Sequence, residues 1–143
     1  MAIKIDADQM MPFLEEVFPQ VRGEFAIDRL DAAALVMRLN VQDHHLRPGG
    51  TVSGPSMFGL ADVAAYVATM SRVGREALAV TTNCSIDFMR KPEAGKDILA
   101  HAEVLKLGRA LAVVDVRLYS EGGTDPVARA TLTYSIPPRS VTP

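Results

Sequence analysis

Residues 52–71 read VSGPSMFGLADVAAYVATMS, and this stretch decides the fold. It opens with Ser-Gly-Pro at 53–55, a helix start signal in which Pro takes the first helical position, where a missing N–H costs nothing. The apolar run Met57–Met70 is about 14 residues long, the length of a buried helix rather than of a membrane span. Small residues lie on all sides of this helix and allow close approach from several directions. One strongly curved sheet that wraps round the helix would therefore bury it.

Asp62 is the only acidic or basic side chain between Arg47 and Arg72, and it lies in the middle of this apolar run. Taking a carboxylate out of water costs several kcal/mol unless another group compensates for it. The acid is therefore either paired with a residue far away in the sequence or retained for chemistry, as a general base or a nucleophile. The run itself leaves both interpretations open.

Composition excludes several classes of protein. The 143 residues are enough for one domain that buries roughly two-thirds of the surface of its unfolded chain. Because 22% of residues are charged and the net charge is −2, we expect no nucleic-acid or membrane partner. Cys84 is the single cysteine, which excludes an internal disulfide and suits a reducing compartment. No secretory signal is visible at the N-terminus, so a cytoplasmic location is expected.

Periodicity divides the rest of the chain into segments. A short amphipathic helix comes first, and alternation from Glu24 to Val41 predicts one strand before the buried helix. After Gly74 we predict an antiparallel meander of four strands, at about 78–89, 97–107, 110–120 and 127–136. The chain is interpreted as a single domain over 1–143 with three parts, an N-terminal helix at 1–23, a core at 24–137 and a tail at 138–143.

The start of the buried helix offers a second chemical group. Its first backbone N–H groups, above all that of Gly54, have no partner within the helix and carry the positive end of the helix dipole. Such a group can polarise a carbonyl oxygen, so an oxyanion donor and a carboxylate on one element are the parts needed for acyl transfer. Asp62 lies two turns, about 11 Å, further along the helix. One small ester group could not touch both, so a second subunit would have to complete the site.

Three stretches together resemble the hotdog-fold acyl-CoA thioesterases of the phenylacetate-pathway type. They are HLRPGGTVSGPSMFGLADVAAY at 45–66, AVTTNCSIDFMRKPEAGKDI at 79–98 and LKLGRALAVVDVRLYSEGG at 105–123. The resemblance covers about residues 24–137, and its strongest element is the triplet Leu60-Ala61-Asp62.

The resemblance implies an α+β hotdog fold, with a curved antiparallel sheet around a central buried helix. It implies a homodimer, and often a homotetramer, whose active sites lie at the dimer interface. The implied reaction is hydrolysis of an acyl-CoA thioester, in which Asp62 attacks the thioester or activates water. The N–H of Gly54 from the other subunit would bind the thioester oxygen. No metal or redox cofactor is implied, because coenzyme A enters only as part of the substrate.

Two departures from the family pattern bear on the chemistry. Ser53-Gly54-Pro55 stands where the family has His-Gly-Gly, so the glycine is kept and the histidine is lost. His45-Leu46-Arg47 stands where the family has His-x-Asn, so a permanent cation replaces an amide. Arg47 could pair with Asp62 and hold it ionised, or it could bind a carboxylate or phosphate of the substrate.

The remaining candidates are weaker. Thr81 matches a position where some relatives carry a Ser or Thr that orients water or the acid, although Thr is also an ordinary strand residue. Strict alternation places its neighbours Val80 and Thr82 on the face that also holds Cys84. The substrate-binding candidates are Ser53, His45 and Pro55, the acyl-pocket residues Met57, Phe58 and Tyr66, and the phosphate-binding candidates Arg90 and Arg109.

Two other functions compete with hydrolysis. A hydratase or dehydratase on the same fold would need an acid and a histidine as a pair, and His45 is the only nearby histidine candidate. A non-catalytic acyl-thioester-binding protein is favoured by the lost histidine and the gained Arg47. The sequence does not identify the acyl group, nor whether coenzyme A or a carrier protein bears it.

Overall fold

The computed structural model describes residues 2–138, so the predicted tail at 138–143 lies outside them except for its first residue. Within this range the elements follow the order helix, two strands, helix, four strands. The helices are α1 (Ala7–Val17) and α2 (Gly54–Val73), and the strands are β1 (Phe25–Leu30), β2 (Leu35–Leu39), β3 (Val80–Phe88), β4 (Ile98–Leu107), β5 (Leu111–Ser120) and β6 (Ala128–Ser135).

One antiparallel sheet of six strands, in the order β1-β2-β4-β5-β6-β3, packs round α2. The helix is buried along almost its whole length after Met57, where small side chains such as Ala61, Ala64 and Ala65 let the strands approach closely. The expected α+β architecture, a curved sheet around a central buried helix, is confirmed. Neither helix in the described range is long and apolar enough to span a membrane.

The strand predictions need two corrections. The segment 24–41 forms two strands, β1 and β2, because Asp31 accepts the N–H groups of Ala33 and Ala34 and closes a tight turn. The last four strands are not a meander, since β3 pairs with β6 at one edge of the sheet and β4 pairs with β2. Alternating side chains show which face of a strand is buried, but they do not show which strand lies beside it.

The ends of α2 follow local chemistry. Ser53 is the N-cap, and its Oγ accepts the N–H of Ser56 at 3.3 Å. The helix therefore begins at Gly54 with Pro55 second, one residue earlier than predicted. Gly74 ends it at a φ of 106°, a conformation that favours glycine. These caps place the carboxylate of Asp62 in the middle of the helix and the N–H of Gly54 at its N-terminus.

Candidate active site

Asp62 is half-buried, and two hydroxyl groups from the sheet donate to the same carboxylate oxygen. Thr81 Oγ1 lies 2.5 Å from Asp62 Oδ1, and the Tyr134 hydroxyl lies 2.7 Å from it. Thr81 is on β3 and Tyr134 is its direct partner on β6. The half-buried acid is therefore compensated by neutral hydrogen-bond donors, and no ion pair with a cation is present among residues 2–138.

Thr81 reaches the acid because β3 contains an irregularity. The register slips between Thr81 and Asn83, so Thr82 is one extra residue opposite β6. Since Thr81 pairs with Tyr134 and Cys84 pairs with Leu132, Thr81 and Cys84 share the face that packs on α2. The prediction that Thr82 shares this face with Cys84 is wrong.

A pocket of about 290 Å³ opens beside Asp62. Tyr66, one of the acyl-pocket candidates, lies in its wall and donates its hydroxyl to the Ala77 carbonyl at 2.6 Å. Tyr66 stacks on Tyr134 with 6.0 Å between ring centroids and meets Phe18 edge-on at 6.5 Å. The aromatic wall thus includes a residue from the end of α1, which lies outside the span of the resemblance.

A second pocket, of about 380 Å³, lies at the N-terminus of α2. Gly54 and Met57 line it together with Phe88, whose ring would lie 3.5 Å from a Cβ placed on the glycine. Basic and apolar side chains complete the wall, namely Arg47, Val52, Met89, Arg90 and Lys91, with Thr51 and Pro92. Gly54 and Asp62 line different pockets of one chain, in keeping with the two turns of helix between them.

The side chain of Arg47 is exposed at this second pocket. Over residues 2–138, no ion pair joins it to Asp62. The pairing considered from the sequence therefore does not exist within one chain. The alternative, contact with an anionic group of the substrate, agrees with its position in the pocket wall.

His45 is 5% exposed and lies in neither pocket. Its Nδ1 accepts the backbone N–H of Gln42 at 2.9 Å, so the ring proton is on Nε2, which faces Glu24 Oε1 at 3.2 Å. The residue is occupied by structural hydrogen bonds and does not support the predicted substrate contact. Its carboxylate partner is Glu24 and not Asp62, which also argues against the acid–histidine pair of a hydratase.

Glu24, His44 and His45 form a cluster whose ligand atoms lie within 4.8 Å of one another. A metal would need the Nε2 lone pair of His45, but that atom carries the proton. The pKa of Glu24 is held below its usual range chiefly by the hydrogen bond from His44. The cluster is therefore better explained by hydrogen bonding than by a metal site.

The other predicted site residues lie near the surface of the single chain. Ser53 serves as the helix cap, and Pro55 and Phe58 are exposed on the first turns of α2. Arg90 lines the pocket at Gly54, where its Nη1 donates to the Pro126 carbonyl at 2.7 Å. Arg109 is exposed in the connection between β4 and β5 and lies outside both pockets.

Sequence reasoning missed Tyr134. Burial raises the pKa of its hydroxyl, and the negative charge of Asp62 raises it further, so the group is a neutral donor at neutral pH. A signal was present, because Tyr134 alternates with Leu132 on the buried face of β6, and a buried tyrosine hydroxyl requires a partner. The sequence did not identify that partner, since Asp62 is 72 residues away.

Comparisons with known proteins identify the family to which this fold belongs. The model of the Thioesterase superfamily matches residues 49–127. A Silicibacter protein provisionally described as a thioesterase is 63% identical, covers 96% of each chain and superposes with a TM-score of 0.91. Human acyl-coenzyme A thioesterase 13 is 28% identical over 101 residues, 71% of each chain. The E. coli PaaI protein of the phenylacetic acid degradation operon is 25% identical, with a TM-score of 0.78 over 95% of this chain and 96% of that one.

Proposed function

This chain belongs to the thioesterase superfamily and is a thioesterase, and we propose that it hydrolyses acyl-CoA thioesters with Asp62 as the acting carboxylate. The observation that carries the proposal is the position of Asp62, which is held by two hydroxyls at the wall of a pocket with three aromatic residues, Phe18, Tyr66 and Tyr134. Coenzyme A is inferred as the thiol because human acyl-coenzyme A thioesterase 13 is a relative. No metal or redox cofactor takes part in the proposed reaction.

Two routes are open to such a carboxylate. As a general base, Asp62 takes a proton from water while the water oxygen bonds to the thioester carbonyl carbon and the C–S bond then breaks. As a nucleophile, it bonds to that carbon itself and expels the thiolate, and water then hydrolyses the resulting anhydride. In both routes negative charge develops on the carbonyl oxygen, where a backbone N–H at a helix N-terminus stabilises it. The N–H of Gly54 is the group proposed for this role.

A homodimer would bring the two groups together. Strand β3 is one of the two edge strands of the sheet, and it carries exposed apolar side chains, with Val80 57% and Phe88 50% exposed. Val80 borders the pocket at Asp62, and Phe88 borders the pocket at Gly54. If two copies pair antiparallel along β3, the Val80 end of one strand meets the Phe88 end of the other. Asp62 would then face Gly54 of the partner subunit.

Association of two such dimers into a homotetramer and a cytoplasmic location stay predictions.

Release of free thiol from a panel of short, aromatic and long acyl-CoA substrates tests the proposal. We expect turnover by the wild type and a loss of about 10²- to 10⁴-fold in Asp62→Asn, the range typical of a lost general base. Asp125→Asn, an exposed acid between β5 and β6, is the matched control and should keep full activity.

Two outcomes would contradict the proposal. Undiminished thiol release by Asp62→Asn would remove Asp62 from the reaction. Binding of acyl-CoA without turnover by the wild type and the variant would instead favour a non-catalytic acyl-thioester-binding protein.

A further inference from the structure

We propose that Tyr134 is a positioning residue that fixes the carboxylate of Asp62 so that Oδ2, and not Oδ1, acts on the substrate. The inference rests on the proposed function, because it assigns a role within the same reaction. It goes beyond that function by naming which oxygen acts and which residue selects it.

The hydroxyl of Tyr134 contacts Asp62 at two points. It lies 2.7 Å from Oδ1 and 2.9 Å from the main-chain carbonyl oxygen of the same residue. A group that bridges the side chain and the backbone of one residue restricts the rotation of the side chain between them. The carboxylate is therefore oriented before substrate arrives, which reduces the entropy cost of reaching a reactive geometry.

Both donors act on one oxygen. Thr81 Oγ1 and the Tyr134 hydroxyl approach Oδ1, whereas no residue in the range 2–138 donates a hydrogen bond to Oδ2. A carboxylate oxygen that accepts two hydrogen bonds has its lone pairs occupied, while the other oxygen keeps its lone pairs for water or for a carbonyl carbon. The two oxygens of Asp62 are therefore chemically unequal.

Tyr134 is the more rigid of the two donors. Its strand, β6, is flanked by β5 and β3, its side chain is 3% exposed, and its ring stacks on Tyr66. Thr81 lies on the edge strand, next to the irregular residue Thr82. The orientation of Asp62 is therefore set mainly from β6, a strand with neighbours on both sides.

Steady-state kinetics of Tyr134→Phe test the role. This variant keeps the ring and removes only the hydroxyl, so we expect kcat to fall about 10- to 100-fold, the effect of losing one hydrogen bond to a charged group. KM should stay within about 2-fold, because the hydroxyl does not contact substrate in this proposal. The matched control is Tyr119→Phe, which removes a tyrosine hydroxyl from the outer face of the sheet and should leave both constants unchanged.

The result that overturns the inference is an unchanged kcat in Tyr134→Phe, or a loss that appears only in KM. Its failure is distinguishable from failure of the proposed function. Full activity of Tyr134→Phe beside an inactive Asp62→Asn refutes the role of Tyr134 alone, whereas an active Asp62→Asn refutes the proposed function.

A second measurement does not depend on the folding of Tyr134→Phe. The charge of Asp62 raises the pKa of Tyr134, so ultraviolet titration of tyrosinate in Asp62→Asn should show one tyrosine that ionises at lower pH than in the wild type. A tyrosine that ionises at higher pH in Asp62→Asn than in the wild type would contradict the contact on which the inference depends.

Discussion

At the scale of the residue, Tyr134 links the stability of the fold to alkaline pH. Burial and the charge of Asp62 both raise the pKa of its hydroxyl above the ordinary value of 10.0. The unfolded chain therefore loses this proton at lower pH than the folded chain, and stability falls as pH rises above about 10. We expect the free energy of unfolding, measured with urea, to decrease across this range.

The decrease should be smaller in Tyr134→Phe, which has no proton to lose at this position. Tyr66, whose pKa burial also raises, should contribute a decrease of the same sign that persists in this variant. Equal pH dependence in Tyr134→Phe and the wild type would show that the buried phenol is not the linked group.

The same residue shows how far sequence reasoning reaches at this scale. Asp62 and Tyr66 could be predicted as parts of one site because they lie on one helix, where spacing determines relative position. Tyr134 and the inward direction of Thr81 could not be predicted. The contact of Tyr134 with Asp62 joins residues 72 positions apart in the sequence. The inward direction of Thr81 depends on a register slip in β3 that no residue type indicates, and a slip of one residue reverses the face of the side chains beyond it.

At the scale of the element, the start of α2 depends on one side chain. The N-cap contact from Ser56 N–H to Ser53 Oγ compensates one of the unpaired donors of the first turn. Ser53→Ala should therefore lower stability by about 1 kcal/mol and the melting temperature by about 2–4 °C. Ser53→Asp keeps an acceptor at this position and should melt close to the wild type, so equal losses in both variants would contradict the capping role.

The elements themselves were largely predictable, but their neighbours in the sheet were not. Both helices could be predicted from apolar spacing and cap residues, and β4, β5 and β6 lie close to their expected bounds. The error at β3 arose from the assumption that strands consecutive in sequence are adjacent in space. In this sheet β3 lies at one edge, whereas β4 lies in the interior between β2 and β5. The chain therefore crosses from the edge to the interior between β3 and β4.

At the scale of the whole molecule, this crossing is what makes a shared site possible. Because β4 and β5 are inserted between β2 and β6, strand β3 is left at an edge, with the Asp62 pocket near one end and the Gly54 pocket near the other. A two-fold axis through the middle of β3 would therefore place the Asp62 pocket of each subunit beside the Gly54 pocket of its partner. Neither pocket alone contains both the carboxylate and the oxyanion donor.

Dimerisation through β3 can be tested with a matched pair of substitutions. Val80 and Leu105 are both 57% exposed, but Val80 is on the edge strand and Leu105 is on β4. Val80→Glu would bury a charge in the proposed interface, so it should weaken the dimer by at least about 10-fold, whereas Leu105→Glu should leave it intact. In sedimentation velocity over a concentration series, the wild type and Leu105→Glu should sediment with a mass at least twice the chain mass of 15.4 kDa, and Val80→Glu should shift toward the monomer. If Val80→Glu associates as tightly as Leu105→Glu, the interface lies elsewhere, and the pairing of Asp62 with Gly54 of the partner subunit loses its basis.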